Sequence, residues 1–500
     1  MPLTRWPRLL ATATALLMLA ACGTQVVNPV SGKTERSAMD EQAEITEGAK
    51  AHQSVLQEYG VLANPPLQAY VNDLGQRLAK LSHRSQLKWT FTVLDSPEVN
   101  AFALPGGYVY ITRGIMAYLD SEAELAGVVG HEIGHVTARH GAQRATRQQN
   151  AGIGVLAATV LGVLIEGATG VQGAAQAASQ IGQSVAAGTV ARYSREQESQ
   201  ADLLGAEYLA RNGYNPRNMI DVIAVLKRQE QYATDQARAQ GKAASSGNNW
   251  LASHPSNDQR LADISRVAAT YTGSYADDAQ ARYYKAIEGM PYGDSREQGV
   301  VRGQSFYHED LGIALTAPTG WEVRNTPEAI TLVNGAGDAG LIVRLVPANA
   351  GNTHEEIIRN VAKPTEGKTE KRQVNGLPLT AFTGSRRDAN GQVQGLRLAV
   401  VTGPGNRNFL LQYAAKDAAA AQRAAGGMAE AEASMRALSA ADKAAARPHA
   451  LRLTAMPRGG FAELARLSGG TQTEAQLRLL NGVYGGGADP AVGKPVKVIN

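Results

Sequence analysis

The sequence predicts an α+β protein. A mostly helical first part with a small sheet is followed by a module of strands and helices and by a small C-terminal module. Two patterns and the length predict this. Apolar residues recur at helical spacing through much of residues 46–270, and they run in short stretches between turn residues over 302–446. Five hundred residues exceed what a single hydrophobic core usually serves. A hydrophobic content of 44% with 20 prolines fits a globular chain. The net charge of +4, without a long basic run, argues against nucleic acid as a partner.

Residues 1–21 have the form of a secretory signal peptide. Arg5 and Arg8 precede the apolar run LLATATALLMLAA, which is too short to span a membrane as a mature helix. LAAC, Leu19 to Cys22, resembles a bacterial lipobox, which makes Cys22 the expected lipidation site and membrane anchor. Gly23 after it resembles lipoproteins sent on to the outer membrane, so a periplasmic location is expected. Cys22 is the one cysteine of the chain, and no intrachain disulfide can form. Residues 22–45 read as a polar tether.

The elements of the first domain, 46–270, follow in order. EITEGAKAHQSVLQEYG reads as a helix. PPLQAYVNDLGQRLAKL starts on prolines and sets Leu67, Tyr70, Val71, Leu74, Leu78 and Leu81 at helical spacing. KWTFTVL alternates like a strand, and Tyr108 to Thr112 reads as a second one. A further helix begins at SEAE, where Ser121 can cap and Glu124 can complete a capping box.

That helix carries GHEIGHV. On a wheel of about 100° per residue, His135 lies about 40° from His131, with Glu132 about 100° away. Leu125, Ala126, Val129, Ile133 and Val136 occupy a separate, apolar arc. Zinc takes two imidazoles from one helix face at this spacing, and the intervening glutamate can serve as general base. With only nine histidines in the chain, the pattern is unlike a chance match. Gly127, Gly130, Gly134 and Gly141 line a third stripe; interior helical glycine costs about 1 kcal/mol, so close approach of another backbone or of a substrate is expected there.

The third ligand has several candidates. Ala138 and Gly141 stand where HExxHxxGxxH would need glycine and histidine, which excludes that continuation. On the wheel His140 points about 180° from His131, so it reads as a structural or surface residue and not a ligand. In YSREQESQADLLGAEYLARNGYNP, Glu198 and Asp202 share a helix face. Glu196 and Glu207 are weaker rivals, since neither has an aspartate four residues on.

NAFALPGG, GHEIGHV, YSREQESQAD and SHPSNDQRL together resemble the zinc metallopeptidase family of the CAAX prenyl protease and HtpX, a gluzincin family, in its exported bacterial branch. The resemblance covers about residues 40–270. It implies one Zn2+ per chain held by His131, His135 and Glu198, with Asp202 orienting a ligand histidine and Glu132 as the general base. It also implies that His254 can occupy the open metal position as a regulatory ligand, that Arg260 stabilises the oxyanion, and that the edge strand Asn100, Ala101, Phe102, Ala103 pairs with substrate. Envelope proteins, including misassembled outer-membrane ones, are the implied substrates. Residues 151–190, rich in glycine and alanine, read as a lid beside the cleft, with membrane contact or self-association as alternatives.

Beyond a linker at 271–301, residues 302–446 read as an α+β module faintly similar to PsbP/Mog1-like domains, with DANG as a hairpin turn. Residues 447–500 resemble a LysM module, which raises peptidoglycan as a partner, although MPRGG replaces the usual GDT. Two other functions fit the same features: a zinc-bound chaperone or scaffold for outer-membrane assembly, and a peptidoglycan-binding envelope protein.

Overall fold

The computed structural model describes residues 24–149, 193–239, 241, 254, 258–387 and 391–500. The signal peptide, Cys22, the segment 151–190 and residues 388–390 of the DANG turn lie outside them. The chain forms two compact units. One comprises residues up to Met290 together with Leu451–Asn500, and the other is Pro291–Ala450.

In the first unit, local sequence signals set the helix boundaries. Asn64 accepts a hydrogen bond from Leu67 N, and Pro65 presets the first helical φ. Helix Pro65–Lys80 then buries Leu67, Val71, Leu74 and Leu78. Leu81, counted with that stripe from its spacing, is the residue after the helix and is exposed. Strand Thr90–Leu94 pairs in parallel with Tyr108–Thr112, which pairs antiparallel with Ala101–Leu104, so Ala101–Leu104 is an edge.

The helix that carries GHEIGHV spans Glu122–Thr137. Ser121 caps it as expected, but Glu124 accepts from Asp120 N rather than from the cap residue. Every residue of this helix is buried. Its imidazole face is therefore no more open to water than its apolar face; helix Arg195–Arg211 covers it. The glycine stripe makes that approach possible. A Cβ on Gly130 would lie 3.3 Å from Gly205 Cα, and one on Gly134 would lie 3.1 Å from Ala201 O. Backbone fills the space beside Gly130 and Gly134, and side chains of Val222, Met219 and Pro105 fill that beside Gly127 and Gly141.

Three boundaries differ from the sequence reading. Residues 24–37, read as tether, form an antiparallel hairpin of Thr24–Val27 with Thr34–Ser37. Asn28, buried at its turn, donates from Nδ2 to Ala138 O at 3.1 Å. The stretch 271–301, read as linker, contains helix Gln280–Ile287, whose Tyr283 and Ile287 are buried in the first unit. The segment from Leu451 clusters with the first unit because its strand Pro495–Ile499 carries a buried lysine. Lys497 Nζ donates to Ala117 O at 2.9 Å and Leu119 O at 2.8 Å, and lies 2.8 Å from the Asp120 carboxylate. That segment runs strand His449–Ala455, helices Gly460–Leu467 and Glu474–Leu480, then Pro495–Ile499 paired antiparallel to the first strand.

Glu122 gathers the helices at the start of the motif helix. Its fully buried carboxylate accepts from Tyr70 Oη at 2.8 Å and from Arg77 at 3.1 Å, and also from Tyr214 and Arg282. Burial alone would raise its pKa; the hydrogen bonds from Arg282, Tyr214, Tyr70 and Arg77 outweigh burial and hold it down at about 2. A depressed carboxylate contributes stability above its unfolded pKa and loses it as pH falls. Acid titration monitored by circular dichroism should show Glu122→Gln losing the part of the stability that wild type gives up between about pH 4.5 and about 2. Identical acid-unfolding curves would refute this role.

The second unit is built on a seven-stranded antiparallel sheet. Its order is Glu322–Asn325, Ile330–Val333, Ala339–Leu345, Asn408–Ala415, Val393–Thr402, Leu377–Arg387 and Glu366–Val374. A four-stranded sheet, with Ile313–Thr316 and Ser305–His308 at its centre, shares its core. Ala431 and Met435, in and just after helix Ala418–Ala433, join that core with Phe306, Leu341 and Phe409. The hairpin expected around DANG is present, with Leu377–Arg387 paired to Val393–Thr402.

Candidate metal centre

Two helices and one loop residue meet at a buried cluster. His131 and His135 project from the motif helix, Glu198 from Arg195–Arg211, and His254 enters from before helix Asp258–Ala268. Ser194 starts the second helix with a full capping box to Gln197, which fixes the register that aims Glu198 inward. One donor atom from each of the four residues lies within 4.8 Å of the other three.

The distances fit a metal. His131 Nε2 is 3.0 Å from His135 Nε2, 3.2 Å from His254 Nδ1 and 3.7 Å from a Glu198 oxygen. His135 Nε2 is 3.5 Å from the other Glu198 oxygen, which lies 3.0 Å from His254 Nδ1. A tetrahedron with bonds of about 2.0–2.1 Å has edges of roughly 3.3 Å. His131 Nδ1 lies 2.9 Å from Asp202 Oδ1, so it carries the proton and leaves Nε2 as a lone pair aimed into the cluster. Lone pairs and a carboxylate converging in a buried space form a donor set for a divalent cation of zinc's type.

Charge balance supports the same reading. Burial and the neighbouring imidazoles of His131, His140 and His254 hold His135 well below the usual histidine range, in its neutral, ligating form. Burial would raise both carboxylates. Hydrogen bonds and charge from His254, His131 and Arg260 instead hold Glu198 low, and Arg260 and His131 do the same for Asp202. Glu132 is buried beside the cluster, with Oε1 3.8 Å from His254 Nε2. The rivals for the third ligand are elsewhere: Glu196 is exposed, and Glu207 pairs with Arg211 near the surface.

Arg260 departs from expectation. Its Nε and Nη2 fork onto Asp202 at 2.7 and 2.8 Å, and Nη1 lies 3.0 Å from Glu198. The guanidinium expected to meet an oxyanion is held by the two carboxylates behind the metal ligands. The strand Ala101–Leu104 is an edge, as expected, and Ala103 and Leu104 border a cavity with His135 and Tyr193. Asn100 precedes the strand; its N–H donates to Thr112 Oγ1.

Tyr193, His140 and its partner Gln200 were not legible as part of the site. Tyr193 stacks on the His135 ring, centroids 4.0 Å apart. His140, which the wheel turned away, has Nδ1 2.9 Å from His135 Nδ1 and Nε2 2.9 Å from Gln200 Oε1. Burial pushes it down to about 4. The wheel failed because the helix ends at Thr137, and Arg139 at φ 61° turns the chain back.

Two imidazoles four apart on one helix, with a carboxylate supplied by a second, define a gluzincin-type zinc peptidase site. Residues 65–268, about two fifths of the chain, match the model of peptidase family M48. The chain is 30% identical over 214 residues to the beta-barrel assembly-enhancing protease of Escherichia coli (strain K12), covering 41% of this chain and 39% of that protein. It is 31% identical over 216 residues to a putative beta-barrel assembly-enhancing protease of Vibrio cholerae, covering 42% and 41%. It is 39% identical over 97 residues to the mitochondrial metalloendopeptidase OMA1 of Schizosaccharomyces pombe, covering 19% and 29%. The match thus spans about two fifths of the length of the bacterial relatives. Among solved structures, the cyanobacterial PsbP of Synechocystis aligns with 29% of this chain and 98% of its own, at a TM-score of 0.21 and 12% identity.

Proposed function

We propose that the protein is a zinc-dependent endopeptidase of the bacterial cell envelope, anchored by a lipid on Cys22 and facing the periplasm, that cuts misassembled envelope or outer-membrane proteins. The observation that carries the reading is the convergence of His131, His135 and Glu198 on one buried point, with Glu132 beside it. The bacterial relatives, named as proteases that enhance β-barrel assembly, support the substrate class. Among the described residues no helix is long and apolar enough to cross a membrane.

His131, His135 and Glu198 would hold the zinc, which when bound acts as a Lewis acid on water and on the scissile carbonyl. Glu132 then takes a proton from the attacking water and passes it to the leaving nitrogen. Asp202 keeps the His131 proton on Nδ1, and Arg260 keeps Asp202 and Glu198 ionised and in place. The edge at Ala101–Leu104 offers unpaired backbone to an extended substrate. Comparing envelope fragments in cells that carry wild-type or Glu132→Gln protein tests the reading. Fragments that depend on the glutamate are expected; an identical fragment set would favour a scaffold.

His254 is read as a fourth donor that shuts the site. It sits fully buried on Glu198, and a fourth protein ligand gives the closed geometry of structural zinc. His254→Ala should raise cleavage of an unfolded protein substrate severalfold, with added self-cleavage. Unchanged turnover together with an unchanged zinc-exchange rate would remove the gate. Residues 447–500 are read as a LysM-like segment used for packing; the burial of Lys497 in the first unit supports that role over glycan capture.

A further inference from the structure

We infer that His140 is a positioning residue for His135: a left-handed corner at Arg139 brings it back to the site, and Gln200 holds it in one tautomer. The inference rests on reading the cluster as a zinc site, and it adds what decides which nitrogen of His135 faces the metal.

The hydrogen bonds settle the direction. Gln200 Oε1 carries no hydrogen, so the 2.9 Å contact makes His140 Nε2 the donor. His140 is fully buried and its two ring nitrogens meet an amide oxygen and another imidazole, an uncharged setting that favours the neutral ring and leaves its Nδ1 as an acceptor. That atom faces His135 Nδ1 at 2.9 Å, and His135 Nδ1 must therefore donate. His135 keeps its lone pair on Nε2, the atom 3.0 Å from His131 Nε2 and 3.5 Å from Glu198. Without the Gln200 acceptor, His140 could hold its proton on Nδ1, and His135 would be pushed toward the tautomer that cannot ligate through Nε2. Gln200 lies two residues beyond Glu198 on the same helix. One element therefore supplies a ligand and orients another.

The corner that delivers His140 is pinned on several sides. A helix continued past Thr137 would carry residue 140 about 140° round from residue 135. Instead Ala138 closes the helix and Arg139 adopts φ 61°, a conformation that side chains other than glycine rarely take. Arg139 Nε donates to Glu44 at 2.7 Å and Nη2 to Met39 O at 2.8 Å. Arg84 Nη1 bonds the other Glu44 oxygen at 2.8 Å and Val136 O at 3.1 Å. Asn28 from the N-terminal hairpin holds Ala138 O. Together these contacts hold the backbone at the helix end.

The test uses the full chain with selectively 15N-labelled histidine and Zn2+ titration against a chromophoric chelator. In metal-free wild type, His135 should carry its proton on Nδ1, and Gln200→Leu should give mixed tautomers. Gln200→Leu and His140→Phe should each weaken zinc binding by about 10–100-fold, the usual cost of losing such a partner. Zinc affinity in Gln200→Leu within about twofold of wild type, or a proton on His135 Nε2 in the metal-free protein, would overturn the inference. Wild type that binds no Zn2+ would instead overturn the zinc reading beneath it, while the nitrogen shifts of the metal-free chain still report on the tautomer.

Discussion

Glu132→Gln leaves zinc bound and removes peptide-bond cleavage. The amide is nearly isosteric, and His131, His135 and Glu198 are untouched, so metal content by mass spectrometry should stay at about one zinc per chain. What is lost is an acceptor for the proton of the attacking water, a role worth roughly 10²–10⁴-fold in rate. Glu132 suits it because it is buried beside the donors, where little bulk water competes for the proton. Cleavage of a fluorogenic unfolded substrate should therefore fall by at least about a hundredfold. Equal rates in the two proteins would take the general-base role from this residue.

Arg260→Leu has the largest expected effect on stability and weakens zinc binding as well. The guanidinium faces two buried carboxylates, Asp202 through a two-pronged fork and Glu198 through Nη1. Removing one partner of such a buried arrangement leaves charge without compensation and costs about 3–5 kcal/mol. Arg260→Lys should recover only part, because an ammonium cannot form the fork. Urea unfolding of the metal-free proteins, paired with zinc titration, measures both effects. An oxyanion role, as the family resemblance implies, predicts lost turnover with zinc fully retained; that outcome would contradict the clamp described by the structure.

The metal ligands were legible because their pattern is local. His131 and His135 need only a helix to share a face, and the caps at Ser121 and Ser194 are written in adjacent residues. Glu198 was narrower than a guess for the same reason, since Asp202 follows it at helical spacing. The helix Pro65–Lys80 was legible through its prolines and helical spacing, and the strand Thr90–Leu94 through the alternation of KWTFTVL. Long-range partners were not. Nothing near Lys497 in the chain says that it ends on the carbonyls of Ala117 and Leu119. Nothing near Asn28 says that it closes a helix more than a hundred residues away. Residues 22–45 and 271–301 looked like connectors because polarity marks a connector only when no buried partner awaits it.

The sequence by itself determined the α+β class, the helix that carries the histidines and the chemistry of the donors, while the family resemblance singled out Glu198. All of these depend on residues a few positions apart, where helical geometry converts spacing into direction. Only the tertiary structure decided that Arg260 sits on the Asp202 and Glu198 carboxylates, and that Gly130 and Gly134 admit a neighbouring backbone. It alone decided that His140 returns to His135. A helical wheel gives direction only while the helix lasts, and this one stops at Thr137 because Arg84, Glu44, Met39 and Asn28, from elsewhere in the chain, hold its last turn in another conformation.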